Sequence, residues 1–499
     1  MESMEGRNSD GNSASVRDTE GDGPITTNRR TKAAFLWRNL RSNVGLKGGI
    51  WQEMSGSVGD IGTFLPILLA LSLVNGVNFG TTLIFTGIYN LITGGLFGVP
   101  MPVQPMKSIA AVAITEGDPL TVPQIMAAGI TTAAVLLFLG ATGLMTLVQR
   151  LVPLSLVRGI QLSQGISFGL TAVKYVVENY NLKTSKSSSD RGWTGSDGLL
   201  LAFSAFFFVI LFTGAGGSNS YGDGNGNQST NSVKQDATVK NEEDPESANV
   251  PPIKETTISN TGLQLRARTL TLIPTALIIF IVGVIIAIAR DTKVFRGWVF
   301  GPSAIHVVHI SAHDWRTGFV RAAVPQIPLS IFNSVIAVCK LSKDLFPKKK
   351  FVTPAHVSVS VGLINLVGCW FGAMPVCHGC GGLAGQYRFG ARTGLSVAIL
   401  GSVKLLVGLV FGSSLLRLLS NFPVGLLGIL LFFSGLELAM ACRDMSTRME
   451  AFVMLVVTFV ALGTSNLTKG FVIGLMVWAG VKINQLFIEG RWPRREDFA

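Results

Sequence analysis

The chain reads as an all-α polytopic membrane protein with about fourteen transmembrane segments in a 7+7 inverted repeat. Three observations predict this. Hydrophobic residues make up 48% of the chain and charged residues only 14%, against roughly a quarter charged in soluble proteins, so a water-facing surface could not be covered. The apolar residues gather into charge-free runs such as 199–212, 270–289, 424–433 and 451–462, and a helical span needs about 20 mostly apolar residues. Finally, a short proline-interrupted string near residue 100 is echoed near residue 374.

In chain order the expected segments are 57–74, 80–98, a broken segment 101–115, 124–148, 154–177, 198–213, 269–289, 325–341, 355–373, a second broken segment 374–387, 395–412, 422–441, 449–464 and 469–487. Residues 1–46 read as a disordered polar tail with a basic juxtamembrane end, 47–290 as the first repeat, 291–490 as the second, and 491–499 as a short tail. Within the first repeat, 214–263 is rich in Ser, Asn, Gly and charge, with little to bury, and is expected to be a disordered connector. The net charge of +12 sits beside the spans. Arg29, Arg30, Lys32, Arg38, Arg41 and Lys47 precede the first span, Lys340, Lys343 and 348–350 share one loop, and Arg491, Arg494 and Arg495 follow the last. Basic residues in short loops mark the cytoplasmic side, so the charge reports topology rather than a nucleic-acid partner. Both ends and the 214–263 connector are placed in the cytoplasm, which leaves the Asn227-Gln228-Ser229 sequon unmodified.

The repeated string is Asn90-Leu91-Ile92, Phe97-Gly98, Met101-Pro102-Val103, echoed by Asn365-Leu366-Val367, Phe371-Gly372, Met374-Pro375-Val376. Each copy sits at the third segment of its half, and with seven segments per half the copies enter from opposite sides. Paired, interrupted segments at matching positions mark a transporter's binding site. Three prolines in 99–105 forbid a continuous helix. An extended stretch therefore leads to a half-helix beginning near Pro105, with Met106, Lys107 and Ser108 in its first turn. In the second copy an extended stretch through Cys377 leads into His378, Gly379, Cys380 and Gly381, where glycine permits close approach to the backbone. Two helix N-termini aimed at one point make an anion site. Lys107 opposes its helix dipole and is costly near the bilayer centre, so a bound anion is its expected partner; an ion pair with Asp60, Glu116 or Asp118 is the structural alternative. Gln104 belongs to the first break, and Thr63, Gln326 and Asn333 add neutral hydrogen bonds from neighbouring spans. Asp60 and Glu437 are the candidates for proton coupling, with a Glu437–Lys404 ion pair the structural reading.

Five cysteines in apolar segments do not suggest a disulfide framework. Cys377 and Cys380 form a C-x-x-C without a second ligand pair, so a membrane thiol or metal protein is a lesser alternative. No cofactor, metal or enzymatic role is expected.

The strings 97–108 and 374–392, together with Pro328-Leu329 and 333–342, resemble the plant and algal molybdate transporters related to the sulfate permeases. The resemblance covers about 50–488. It implies a core domain rocking against a gate domain, with a dianion between the third and tenth segments. It also implies secondary active transport of molybdate, which we expect to be coupled to protons. Only a short tail follows the last segment, where sulfate permeases carry a STAS domain; the molybdate branch also lacks it. Cys380 stands where that branch usually has a small residue. The early arginine of many sulfate-permease relatives is glycine here, and Lys107 is expected to supply that charge. Transport of sulfate or another anion on the same scaffold is the main alternative, and Lys107 argues against a neutral nucleobase. The expected partners are molybdate and the lipid bilayer, with a homodimer compatible and no nucleic acid; the plasma membrane is the default location and a vacuolar or other internal membrane the alternative.

Overall fold

The computed structural model describes residues 40–488 except 47–48, 116–118, 182–185, 215–272, 294 and 350–351. The expected tails before residue 40 and after 488, and the connector from 215 onward, lie outside the described residues.

The first half comprises α1 (Ile50–Ser57), α2 (Ile61–Val74), α3 (Phe79–Phe97), β1 (Val103–Pro105), α4 (Lys107–Thr115), α5 (Val122–Ala141), α6 (Leu144–Leu151), α7 (Leu154–Val177), the strands β2 (Glu178–Asn181) and β3 (Lys186–Asp190), α8 (Leu199–Thr213) and α9 (Thr275–Arg290). The second comprises α10, a continuous helical run Ala312–Leu345, then α11 (Pro354–Gly368), β4 (Val376–His378), α12 (Cys380–Arg388), α13 (Leu395–Phe411), α14 (Leu415–Leu419), α15 (Val424–Met440), α16 (Arg448–Gly463) and α17 (Leu467–Ile488). Among the described residues six helical runs are long and apolar enough to cross a membrane: Ile50–Val74, Val122–Ala141, Ala312–Leu345, Pro354–Phe371, Leu395–Leu419 and Leu467–Phe487. Large apolar side chains such as Phe138, Leu211, Leu406 and Phe459 stand exposed on the outside, a surface suited to lipid rather than water.

Helices pack in close pairs: α3 with α13, α5 with α11, and α7 with α15. Glycine lets the backbones meet. A Cβ at Gly87 of α3 would lie 2.7 Å from the Leu405 nitrogen of α13, and one at Gly165 of α7 would lie 2.7 Å from the Gly435 oxygen of α15. Such small-residue contacts replace the hydrophobic drive that is lost inside lipid.

Both expected broken segments are observed, each an extended triplet followed by a nine-residue helix. The triplets pair antiparallel, Val103 opposite His378, Gln104 opposite Cys377 and Pro105 opposite Val376. The repeated asparagines hold them. Asn90 Oδ1 accepts from the Val103 N–H at 2.9 Å, and Asn365 Oδ1 accepts from the Val376 N–H at 2.7 Å. Inside a membrane each such backbone group needs a protein partner, and these side chains supply it where the prolines prevent a helix.

Two local expectations are revised, and a third feature was not anticipated. The segment expected over 124–148 is two helices, α5 and α6, broken where Gly143 adopts φ 76°; uninterrupted hydropathy hid the break. The segment expected over 325–341 runs from 312 to 345 and carries π-helical turns at Phe319–Ala323 and Ser330–Ala337. Pro325 and Pro328 lack the N–H that an α-ladder needs, and the ladder widens on both sides. Lastly, β2 and β3 form a hairpin after α7, anchored by the buried Arg191, which donates to the carbonyls of Tyr175, Glu178 and Asp197.

Candidate anion site between the paired helix breaks

Where the two breaks meet α10 lies a cavity lined by Gln104, Pro105, Lys107, Gln326, Leu329, Asn333, Ser334, Cys377 and Gly379, with room for about one water molecule (≈ 10 Å³). Lys107 opens α4. Among the described residues its buried ammonium has no hydrogen-bond partner, Glu116 and Asp118 lying outside them, and it stands 3.9 Å from the centre of the Phe168 ring of α7. The ring face offsets part of the charge, and Asp60 adds an attractive field without a direct bond.

Next to Lys107 is a polar chain built from buried groups. Gln104 Nε2 donates to Asp60 Oδ1 and, at 2.9 Å, to Thr63 Oγ1, while the Thr63 hydroxyl itself donates to Asp60. The second carboxylate oxygen, Asp60 Oδ2, has no partner among the described residues. Close beyond Gln104 are Gly379 and Gly382: a Cβ at Gly379 would collide with Gln104 Oε1, and one at Gly382 would lie 2.8 Å from its Nε2. Glycine is therefore a steric requirement of the break, apart from any role toward a ligand.

The third wall is α10. Gln326 Oε1 accepts from the N–H groups of Ser108 at 3.0 Å and Ile109 at 3.3 Å, and Gln326 Nε2 donates to Ser330. This corrects the expectation of a free N-terminus on α4, because a side chain already caps two of its donors. Asn333 Oδ1 accepts from the Cys380 thiol at 2.9 Å, and Ser334 donates to Cys377 Sγ at 3.1 Å.

The expected residues thus divide. Gln104, Pro105, Lys107, Gln326, Asn333, Cys377 and Gly379 share the cavity. Thr63 and Asp60 form the polar chain behind it. Met106 turns into the core, with its N–H on the Pro375 carbonyl, and Ser108 contributes through its capped N–H. The alternation of an extended strand sends His378 to the face opposite Cys377: it is buried between Ser360, 3.1 Å from Nε2, and the edge of Phe97. Cys380 reaches Asn333 rather than the cavity, and Gly381 faces Phe168. Glu437 does not line the cavity and lies in the field of Arg388, Arg392 and Arg443. The Glu437–Lys404 pairing is corrected as well, since Lys404 faces Asp60. Leu329 and Ser334 were not anticipated. With Gln326 and Asn333 they fall at spacings of three, seven and eight along one helix, a signal present in the sequence.

Comparison with known proteins gives this geometry a family. The profile described as a molybdate transporter of the MFS superfamily matches residues 52–168 and 318–438, the stretches that carry both breaks. Molybdate transporter 2 of Arabidopsis thaliana is 50% identical over 93% of this chain and 93% of its own. The chain belongs to this molybdate transporter family. Molybdate transporter 1 of Arabidopsis thaliana is 49% identical, covering 91% of this chain and 93% of its own. Molybdate transporter 1 of Chlamydomonas reinhardtii is 36% identical, covering 94% and 97%. Among solved structures, the murine Solute Carrier 26 family member A9 anion transporter in its inward-facing state is similar over 95% of this chain and 77% of its own, with a TM-score of 0.51 at 13% identity. That likeness concerns the fold alone.

Proposed function

We propose that this protein carries molybdate across a membrane by alternating access, holding the dianion at the cavity between the two breaks and α10. One observation carries the reading: a buried ammonium, Lys107, without a hydrogen-bond partner among the described residues, placed at the meeting point of both breaks. An unpaired charge in a low-dielectric site is costly, and a tetrahedral oxyanion offsets it. The names of the relatives identify molybdate as the first oxyanion to test.

The cavity is too narrow for such an anion as it stands, so binding requires α10 to separate from the breaks. That motion suits two bodies rocking within a fourteen-segment, seven-plus-seven inverted repeat. Two features support the repeat. The strands of the two breaks run antiparallel. The packing pairs also exchange under it: α3 with α13 (second with eleventh) maps onto α11 with α5 (ninth with fourth), and α7 with α15 (fifth with twelfth) onto itself. In this reading Asp60, one hydrogen bond from Gln104, is the coupling proton's carrier rather than Glu437, which does not line the cavity.

The test is uptake of labelled molybdate in a host without its own transporter, with sulfate as competitor. Saturable molybdate uptake that resists excess sulfate supports the reading. Equal competition would assign a broader oxyanion transporter, and no uptake by a chain present at the membrane would refute it.

A further inference from the structure

Behind the cavity lies a second buried ammonium that no part of the binding site explains. Lys404, in the middle of α13, is buried, and its Nζ has no hydrogen-bond partner among the described residues. It stands 3.3 Å from the centre of the Phe64 ring of α2. Among the described residues, the ionisable group whose field it feels is Asp60. Asp60 in turn lies in the fields of both Lys404 and Lys107. Those two lysines are the charged groups facing it from the packed elements, and the Cys377 thiol of β4 is a neutral neighbour. Two cations, one anion and an unused carboxylate oxygen, Asp60 Oδ2, are therefore enclosed together with Gln104 as the hydrogen-bonded link to the cavity.

The charges sum simply. Lys107 and Lys404 contribute two positive charges and Asp60 one negative, so the enclosed site carries a net charge of plus one. A bound dianion would leave it at minus one. A monoanion of the same shape would leave it neutral. In a low-dielectric interior an uncompensated charge is strongly disfavoured.

We infer that Lys404 and Asp60 set the charge capacity of the site, so that a dianion is bound together with one proton, taken up on Asp60 Oδ2, whereas a monoanion is bound with none. This rests on the oxyanion site proposed above and adds its stoichiometry. Proton coupling then follows from the valence of the cargo: both negative charges of the dianion are balanced by the two ammonium groups only when the carboxylate is neutralised.

The test needs two tetrahedral oxyanions of similar size and different charge, molybdate and perrhenate, titrated into the purified full-length protein by calorimetry in buffers of differing ionisation heat. The titrations are run between about pH 6 and 8, where molybdate is itself a dianion. Molybdate is expected to take up one proton, its affinity rising about tenfold for each unit fall in pH; perrhenate is expected to take up none and to show a flat profile. Asp60→Asn is expected to abolish the molybdate slope, and Lys404→Gln, which removes one positive charge, to give perrhenate a slope it lacks in the wild type. The two-anion comparison in the wild type stands without either variant. Equal proton uptake for both anions, or a molybdate slope that persists in Asp60→Asn, would overturn the inference while leaving the oxyanion site in place. Binding of neither anion would overturn the site and the inference with it.

Discussion

The break before α4 and the break before α12 begin alike. In each, an asparagine from the preceding helix, Asn90 or Asn365, holds the extended backbone at Val103 or Val376, and the two triplets pair with one another. They then diverge. The first presents a charge, Lys107, on a helix end whose Ser108 and Ile109 donors are already occupied by Gln326. The second presents small residues and thiols: Gly379 and Gly382 fold around Gln104, while Cys377 and Cys380 engage Ser334 and Asn333. The two breaks thus differ in kind, one presenting a charge and the other small residues, with α10 touching both. In the proposed site, cation and glycine solve different problems: the charge is there to attract the ligand, and the missing side chain makes room for Gln104.

That division can be broken most severely on the steric side. Gly379→Val would drive a side chain into Gln104 and displace the link to Asp60. Molybdate uptake is expected to vanish, while surface abundance, followed with a fluorescent tag, shows whether the loss lies in binding or in folding.

On the electrostatic side the expected effect is smaller and graded. Lys107→Gln should reach the membrane and bind molybdate about tenfold or more weakly, since a charge-assisted hydrogen bond contributes about 1.5–3 kcal/mol and about 1.4 kcal/mol is a decade. Lys107→Arg keeps the charge but not the compact ammonium, and is expected to be intermediate in the same binding titration. Wild-type affinity in Lys107→Gln would remove the distinction between the two breaks.

Gln326→Ala would uncap α4 without touching its charge. Loss of a helix cap costs about 1 kcal/mol, or about fivefold in affinity if it acts through the site. Affinity and thermal stability measured together separate the two: a stability loss alone makes Gln326 a purely structural cap.

The smallest effect is expected at the far end of α10, away from both breaks. Buried Arg158 of α7 donates to Asp344 of α10 at 2.7 Å and to Asp444, in the turn after α15, at 2.5 Å. Burial pushes the Asp444 carboxyl up, but hydrogen bonds from Arg158, its charge and that of Lys340 outweigh it and hold the group below its ordinary 3.8. A carboxyl whose folded-state pKa is depressed contributes stability that is complete above the unfolded value and is lost as pH falls through the folded one. Asp444 is more than a third exposed, so its contribution is discounted to less than about 1 kcal/mol. The stability difference between wild type and Asp444→Asn should hold from neutral pH down to about 4 and vanish below, as read by denaturation in detergent at a series of pH values. Molybdate affinity at neutral pH should barely change.

Much of this was legible in the chain. The bilayer-length apolar runs, the placement of α7, α13 and α15, both helix breaks and the residues Gln104, Lys107, Cys377 and Gly379 beside them followed from hydropathy, proline and the repeated string, because these are local properties; Gln326 and Asn333 stood out only as polar residues within an apolar span. A proline lacks its donor wherever the chain goes, and a run without charge seeks lipid whatever packs beside it. What only the tertiary structure decided is which groups face each other across the fold. Asn90 and Asn365 were visible as a repeat, but their hydrogen bonds reach 11 or 13 residues along the chain to a strand. Gln326 finds the end of α4 from 218 residues away. His378 and Cys377 are neighbours in sequence, yet the pairing of β1 with β4 sends one into the core and the other to the cavity. Lys404 looked like a partner for Glu437 along the sequence and instead faces Asp60, because close glycine contacts set α13 against α3 and so decide which buried charges share one enclosure.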